Sequence, residues 1–149
     1  MSRVVVISGY FNPLHCGHLD YIEGAAKLGD KLVVIVNSDK QVEAKGSVQF
    51  MGEADRLRII AALRAVDHVH LSIDKDESVT KTLEEIYNDY ATDYFFDGMT
   101  FANGADRTEE DSPEEAYCKW RKIKTVYGVG GSKTNSSSEL LRKSQIRSI

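Results

Sequence analysis

Strands alternating with helices predict an α/β fold: a Rossmann-like open five-stranded parallel sheet with helices on both faces, in one domain over residues 1–149. Three observations carry this. The runs Arg3–Ser8 and Lys31–Val36 are continuously apolar and β-branched rather than alternating, as strands buried on both faces are. Apolar residues at helical spacing separate these and later strand-like runs. The length of 149 residues, with 42% apolar and 28% charged, suits a single folded domain with its own core and excludes disordered, collagenous and disulfide-scaffold chains.

The elements follow in order. After the first strand and Gly9, a loop through Gly17 leads to a helix with Leu19, Ile22 and Ala26 on one face, ending at Gly29. The second strand is Lys31–Val36. Glu53–Arg64 carries Leu57, Ile60 and Leu63 at helical spacing, and Asp67–Ile73 reads as a shorter strand. Val79, Leu83, Ile86 and Tyr90 mark an amphipathic helix, and Tyr94–Phe96 a strand ending in Asp97-Gly98. Pro113 suits the first turn of a helix through about Trp120, Ile123–Val129 is the fifth strand, and a short helix is expected from about Ser136 to Lys143. Ser38–Gly52 and Gly98–Ser112 are read as irregular and long enough for function.

Nineteen basic against 23 acidic residues give a net charge of −4, the wrong sign for coating nucleic acid or an anionic membrane. The charge is uneven: Arg121–Ile149 carries +6 and the rest −10, so an anion site can be local. Cys16 and Cys118 show no paired spacing, which argues against a disulfide framework and for a reducing compartment. No run approaches the roughly 20 apolar residues of a membrane span, and the N-terminus lacks a signal-peptide core. A cytoplasmic location without a membrane partner is expected.

The chemistry points to Gly9-Tyr10-Phe11-Asn12-Pro13-Leu14-His15-Cys16-Gly17-His18, between the first strand and first helix. There an α/β sheet offers backbone N–H groups and a helix dipole to a phosphate. Two histidines three apart, with Gly17 letting the backbone approach, can set two imidazole donors beside one anion. Neither a G-x-G-x-x-G nor a G-x-x-x-x-G-K-[ST] motif is present, which sets the dinucleotide and P-loop readings aside. A metal at His15 and His18 would need further ligands, and His68 and His70 fall on another strand, where they read as surface or sheet-end residues.

The segment from Gly9 to His18 resembles the G-x-F-x-x-x-H-x-G-H signature of the cytidylyltransferase-like nucleotidyltransferase superfamily, which includes glycerol-3-phosphate cytidylyltransferases and heptose-phosphate adenylyltransferases. The resemblance implies in-line attack by an acceptor phosphate on the α-phosphorus of a nucleoside triphosphate, with pyrophosphate released, Mg2+ as the cofactor and no covalent enzyme intermediate. By position, it implies that His15 and His18 bind the triphosphate and that Lys45 and Arg56 close over the phosphates or the acceptor. It assigns nucleotide binding to Gly9, Tyr10, Phe11, Asn12, Gly17, Asp106, Lys133, Ser136, Ser137 and Ser138, with Asp106 also the candidate for magnesium. The second family motif falls on Gly131-Ser132-Lys133-Thr134-Asn135-Ser136-Ser137-Ser138, where Gly131 replaces an arginine and Lys133 restores a positive charge without its planar fork. Asn12 stands where many members carry aspartate, and a neutral amide is a poor metal ligand.

The expected function is transfer of a nucleoside monophosphate, CMP from CTP before AMP from ATP, to a small phosphorylated polyol or sugar, by a homodimer. The alternatives are a nucleotide-binding regulatory module without turnover and a flavodoxin-like carrier. Other polar residues have plain readings. Glu109–Glu115 is expected to be a solvated acidic loop or partner surface, Cys16 a space-filling residue, Cys118 structural, and Tyr87, Tyr117 and Trp120 core or interface aromatics.

Overall fold

The computed structural model describes residues 2–131. Five strands, β1 (Ser2–Gly9), β2 (Lys31–Val36), β3 (His68–Leu71), β4 (Phe96–Gly104) and β5 (Lys124–Val129), form one sheet in the order β3-β2-β1-β4-β5. Every pairing is parallel. The helices are α1 (Cys16–Ala26), α2 (Asp39–Ala44), α3 (Glu53–Ala61), α4 (Thr80–Ala91) and α5 (Glu115–Arg121).

The continuously apolar runs do what such runs must, burying both sheet faces. Val4, Val6, Val33, Ile35, Met99 and Phe101 pack under α4 and α5, with Leu83, Ile86 and Cys118. Val5, Ile7, Val34, Val36 and Ala102 pack under α1 and α3, with Ile22, Ala25 and Ile60. The chain thus winds outward from β1 to β3 with helices on one face and returns through β4 to β5 with helices on the other. Strand order reverses between β1 and β4, so the carboxyl ends of these two central strands open a crevice where an α/β sheet takes its ligand.

Several boundaries differ from the sequence reading, each for a local reason. The strand expected at Tyr94–Phe96 instead begins at Phe96 and runs to Gly104. Tyr94 and Phe95 lie before it, 90% and 57% exposed, in a turn where the Asp93 carboxylate accepts from the Phe95 amide. Asp97-Gly98, which reads as a stop, is a bulge: Gly98 takes φ +106° inside the strand, where the β1–β4 register shifts between Ser2 and Val4. Within Ser38–Gly52 lies a real helix, α2, because Ser38 and Gln41 cap each other reciprocally. Helix α3 stops at Ala61 rather than Arg64, β3 is limited to His68–Leu71, and α5 starts at Glu115 rather than Pro113. The expected helix from Ser136 to Lys143 lies outside the described residues.

Candidate active site

The loop after β1 is shaped by what its residues bury. Phe11 is 1% exposed with φ +51°, and its ring lies so close to Gly9 that a Cβ there would meet Phe11 Cζ at 2.7 Å. Past the cis Asn12–Pro13 peptide, the chain enters α1 through a histidine cap. His15 Nδ1 accepts from the Gly17 amide at 3.1 Å, and His18 Nδ1 accepts from the His15 amide at 3.2 Å. The spacing of three between the histidines is therefore the capping-box spacing, with imidazoles in place of hydroxyl and carboxylate. Because both Nδ1 atoms accept, the neutral rings carry their protons on Nε2. The rings stack with centroids 3.8 Å apart, and Phe11 meets His18 edge-on at 5.0 Å.

These histidines line a cleft of about 270 Å³ over the carboxyl ends of β1, β4 and β5. Gly130, at φ +90°, sets its Cα against α1, where a Cβ would lie 2.8 Å from the Tyr21 amide nitrogen. Tyr21 is part-buried and donates its hydroxyl to the Ala102 carbonyl, and desolvation of that hydroxyl pushes its pKa well above the ordinary value. The far side of the cleft is built from β4, the loop before α4 and the start of α5. There Asn103 and Glu114 are 6% and 4% exposed, the Glu114 carboxylate accepts from the Val79 amide at 3.4 Å, and burial raises the Glu114 pKa. At the mouth, Lys45 Nζ sits 4.3 Å from the Tyr10 ring centroid. Burial and the Glu77 carboxylate raise the pKa of the Tyr10 hydroxyl, while Arg107 works against them.

Of the residues singled out from sequence, Gly9, Tyr10, Phe11, His15, Gly17, His18, Lys45 and Asp106 line this cleft. Asn12 and Arg56 do not. The Asn12 side chain is a loop clamp, donating to the Val48 carbonyl at 2.8 Å and accepting from the Phe50 and Met51 amides. Arg56, expected to close over phosphates, is 1% exposed and turned inward. Its guanidinium donates to the carbonyls of Tyr10, Asn37 and Met51 and to the Asp39 carboxylate at 2.9 Å, so it braces the loops that carry the cleft. Lys133, Ser136, Ser137 and Ser138 lie outside the described residues.

The structure adds Tyr21, Asn37, Glu77, Asn103, Arg107 and Glu114 to the lining. Glu114 corrects the reading of Glu109–Glu115 as uniformly solvated: Glu109 is exposed and pairs with Lys119 at 3.1 Å, whereas Glu114 is buried. Trp120 is 69% exposed rather than core, lying under the Arg121 guanidinium. Cys118 is buried, as expected, with its thiol pushed up to about 12, while Cys16 is exposed rather than space-filling. Among the described residues no group of three or more His, Cys, Asp or Glu side chains is disposed to hold a metal ion. No helix among them is long and apolar enough to cross a membrane.

A doubly wound parallel sheet with a histidine-capped helix N-terminus at its switch point defines a phosphate-binding α/β domain of the nucleotide-handling type. Over residues 6–148 the sequence matches the Cytidylyltransferase-like family, and the chain belongs to that family of nucleotidyltransferases. It is 36% identical over 146 residues to the bifunctional protein HldE of Methylobacillus flagellatus, covering 95% of this chain and 27% of that protein. With the FAD synthase of Thermoplasma acidophilum it shares 35% identity over 88 residues, 59% of this chain and 61% of the relative. The chain thus spans about a quarter and three fifths of these two relatives' lengths. Among solved structures it resembles a lipopolysaccharide core biosynthesis protein from Thermoplasma volcanium, with TM-score 0.70 and 25% identity over 89% of this chain and all of that one.

Proposed function

We propose that the chain transfers a nucleoside monophosphate from a nucleoside triphosphate to the phosphate of a small polyol or sugar phosphate. The observation that carries this is the stacked His15–His18 pair at the N-terminus of α1, lining a cleft at the sheet's switch point. An acceptor phosphate oxygen forms a bond to the α-phosphorus as the bond from that phosphorus to the bridging oxygen breaks, and pyrophosphate leaves with the electron pair. Such chemistry needs positioning and charge stabilisation more than a covalent nucleophile. With Nδ1 committed to the cap, the Nε2–H groups are the donors to the α-phosphoryl oxygens, and the α1 dipole favours the same charge. Lys45 at the mouth adds a cation for the phosphates.

Magnesium fits as an ion carried on the triphosphate, with Asp106 as one carboxylate in reach of the cleft, where it would neutralise phosphate charge. The resemblance to cytidylyltransferases suggests CTP as donor. The relatives that make FAD, a dinucleotide with an adenylyl half, support ATP, and we adopt ATP as the donor with CTP as its rival. The test is pyrophosphate release with each triphosphate, Mg2+ and a panel of polyol and sugar phosphates. Release that depends on an acceptor supports transfer; tight nucleotide binding with no release supports a regulatory module, the reading that Gly131 and Asn12 favour. The proposal includes a cytoplasmic homodimer, so light scattering should give twice 16.6 kDa.

A further inference from the structure

A single buried amide ties together segments that line the cleft. Gln41, 0% exposed at the third position of α2, uses all four bonding sites of its side chain. Its Oε1 accepts from the Asn37 side-chain amide at 3.1 Å and from the Ser38 backbone amide at 3.0 Å. Its Nε2 donates to the Asp76 and Ser78 carbonyls at 2.7 and 2.9 Å, the two that flank Glu77. One turn on, the Lys45 amide that closes α2 donates to the Gln41 carbonyl at 3.0 Å. Asn37, Lys45 and Glu77 all line the cleft, and the last two converge on Tyr10. Lys45 Nζ lies 4.3 Å from the Tyr10 ring centroid, and burial and then the Glu77 carboxylate raise the pKa of the Tyr10 hydroxyl.

A six-residue helix is too short to hold itself, so its place comes from what it is tied to. We infer that Gln41 is a positioning residue for nucleotide binding: by clamping α2 to residues 76–78 it sets where the Lys45 ammonium stands for the triphosphate. The inference rests on the transferase reading above, in which Lys45 meets the phosphates. Hydrogen bonds are directional, and this amide cannot turn without breaking four of them, so it fixes α2 as an apolar side chain of the same length would not. Arg56 holds Asp39 at the start of α2, whereas Gln41 stands one turn from Lys45 and is bonded to it through the backbone. A displaced ammonium loses Coulomb attraction to phosphate, while the histidine cap of α1, which shares none of these bonds, keeps its geometry. Nucleotide affinity should therefore fall with little change in turnover.

The experiment compares wild type, Gln41→Met, which keeps the length without the bonds, and Gln41→Glu, which keeps the two accepted bonds and loses the two donated ones, each with and without Lys45→Met. Kd for ATP and for CTP is measured by calorimetric titration with Mg2+, well below each variant's melting temperature. Pyrophosphate release is followed with glycerol 3-phosphate, ribose 5-phosphate and mannose 1-phosphate. Both Gln41 variants should raise Kd and KM for the better nucleotide about fivefold or more, with kcat within about twofold of wild type. In the Lys45→Met background the same substitutions should change Kd less than about twofold, because the group that they displace is gone. If Gln41→Glu does not fold, Gln41→Met carries the test. Unchanged Kd in a folded variant, a loss in kcat alone, or an equal rise in Kd with and without Lys45 each overturns the inference while transfer stands. No release by wild type with any phosphate overturns the transferase reading, and the Kd comparison still decides the role of Gln41; no binding of either nucleotide by wild type overturns both.

Discussion

The two ends of the cleft are built in opposite ways. At the α1 end, six residues of one ten-residue segment line the cleft, and its histidines satisfy their Nδ1 atoms within the same turn. At the β4 end, Asn103, Glu77 and Glu114 arrive from three separate segments, and among the described residues no hydrogen-bond partner reaches Asn103 Nδ2. The first end is self-consistent and can be rigid before substrate binds. The second leaves one buried donor unmet among the described residues, and a buried donor without an acceptor costs about 1–3 kcal/mol.

The largest effect expected is on the self-capped end. His18→Ala should lower kcat/KM for transfer by ~10³-fold, the scale of losing a preorganised donor to a developing phosphoryl charge. The same change removes the acceptor for the His15 amide, so the melting temperature should fall by a few degrees, consistent with a lost cap of about 1 kcal/mol. Steady-state pyrophosphate release and thermal melting, measured on one preparation, separate the two effects. Turnover near wild type would show that the histidines only cap the helix, and the contrast between the two ends would collapse.

The next effect is on what braces the loops. Arg56→Met keeps roughly the volume but removes the donors to three carbonyls and the Asp39 carboxylate, around a side chain with no exposure. Asp39 is 31% exposed and can be met by water, so the cost lies in the carbonyls left without a donor, about 1–3 kcal/mol for each that water does not reach, read as a lower denaturation midpoint. Arg56→Lys should recover only part of it, because one ammonium cannot serve four acceptors spread over Tyr10, Asn37, Asp39 and Met51. A loss under about 1 kcal/mol would mean that the cradle needs no external brace.

How much of this the sequence shows follows from the same contrast. The α1 end is legible because cap, glycine and histidines fall within one local motif, and the central strands because buried parallel strands are continuously apolar. Helix α2 is missed because a six-residue helix has no periodicity to display, although its Ser38–Gln41 box is a readable signal. Strand β4 is hidden by its own bulge, since Asp97-Gly98 mimics a turn, and with the strand goes Asn103 at its end. Glu114 is masked by four carboxylates around it that are far less buried. Arg56 precedes Ile60 by four and Leu63 by seven, so it sits on the helix's inner face, but composition alone argues for a surface arginine.

The smallest effect tests whether the buried carboxylate at the β4 end costs the fold stability. Glu114 has its folded-state pKa raised by burial above the ordinary 4.5, so the folded protein holds that proton more tightly than the unfolded chain. Stability from this group is therefore present at low pH and lost as pH rises through the folded pKa. Glu114→Gln removes the charge, and its amide oxygen can still accept from the Val79 amide. The variant should melt above wild type at pH 8, with the gap closing toward pH 4. Equal melting curves at both pH values would mean that the carboxylate costs the fold nothing, and the β4 end would then be no less settled than the α1 end.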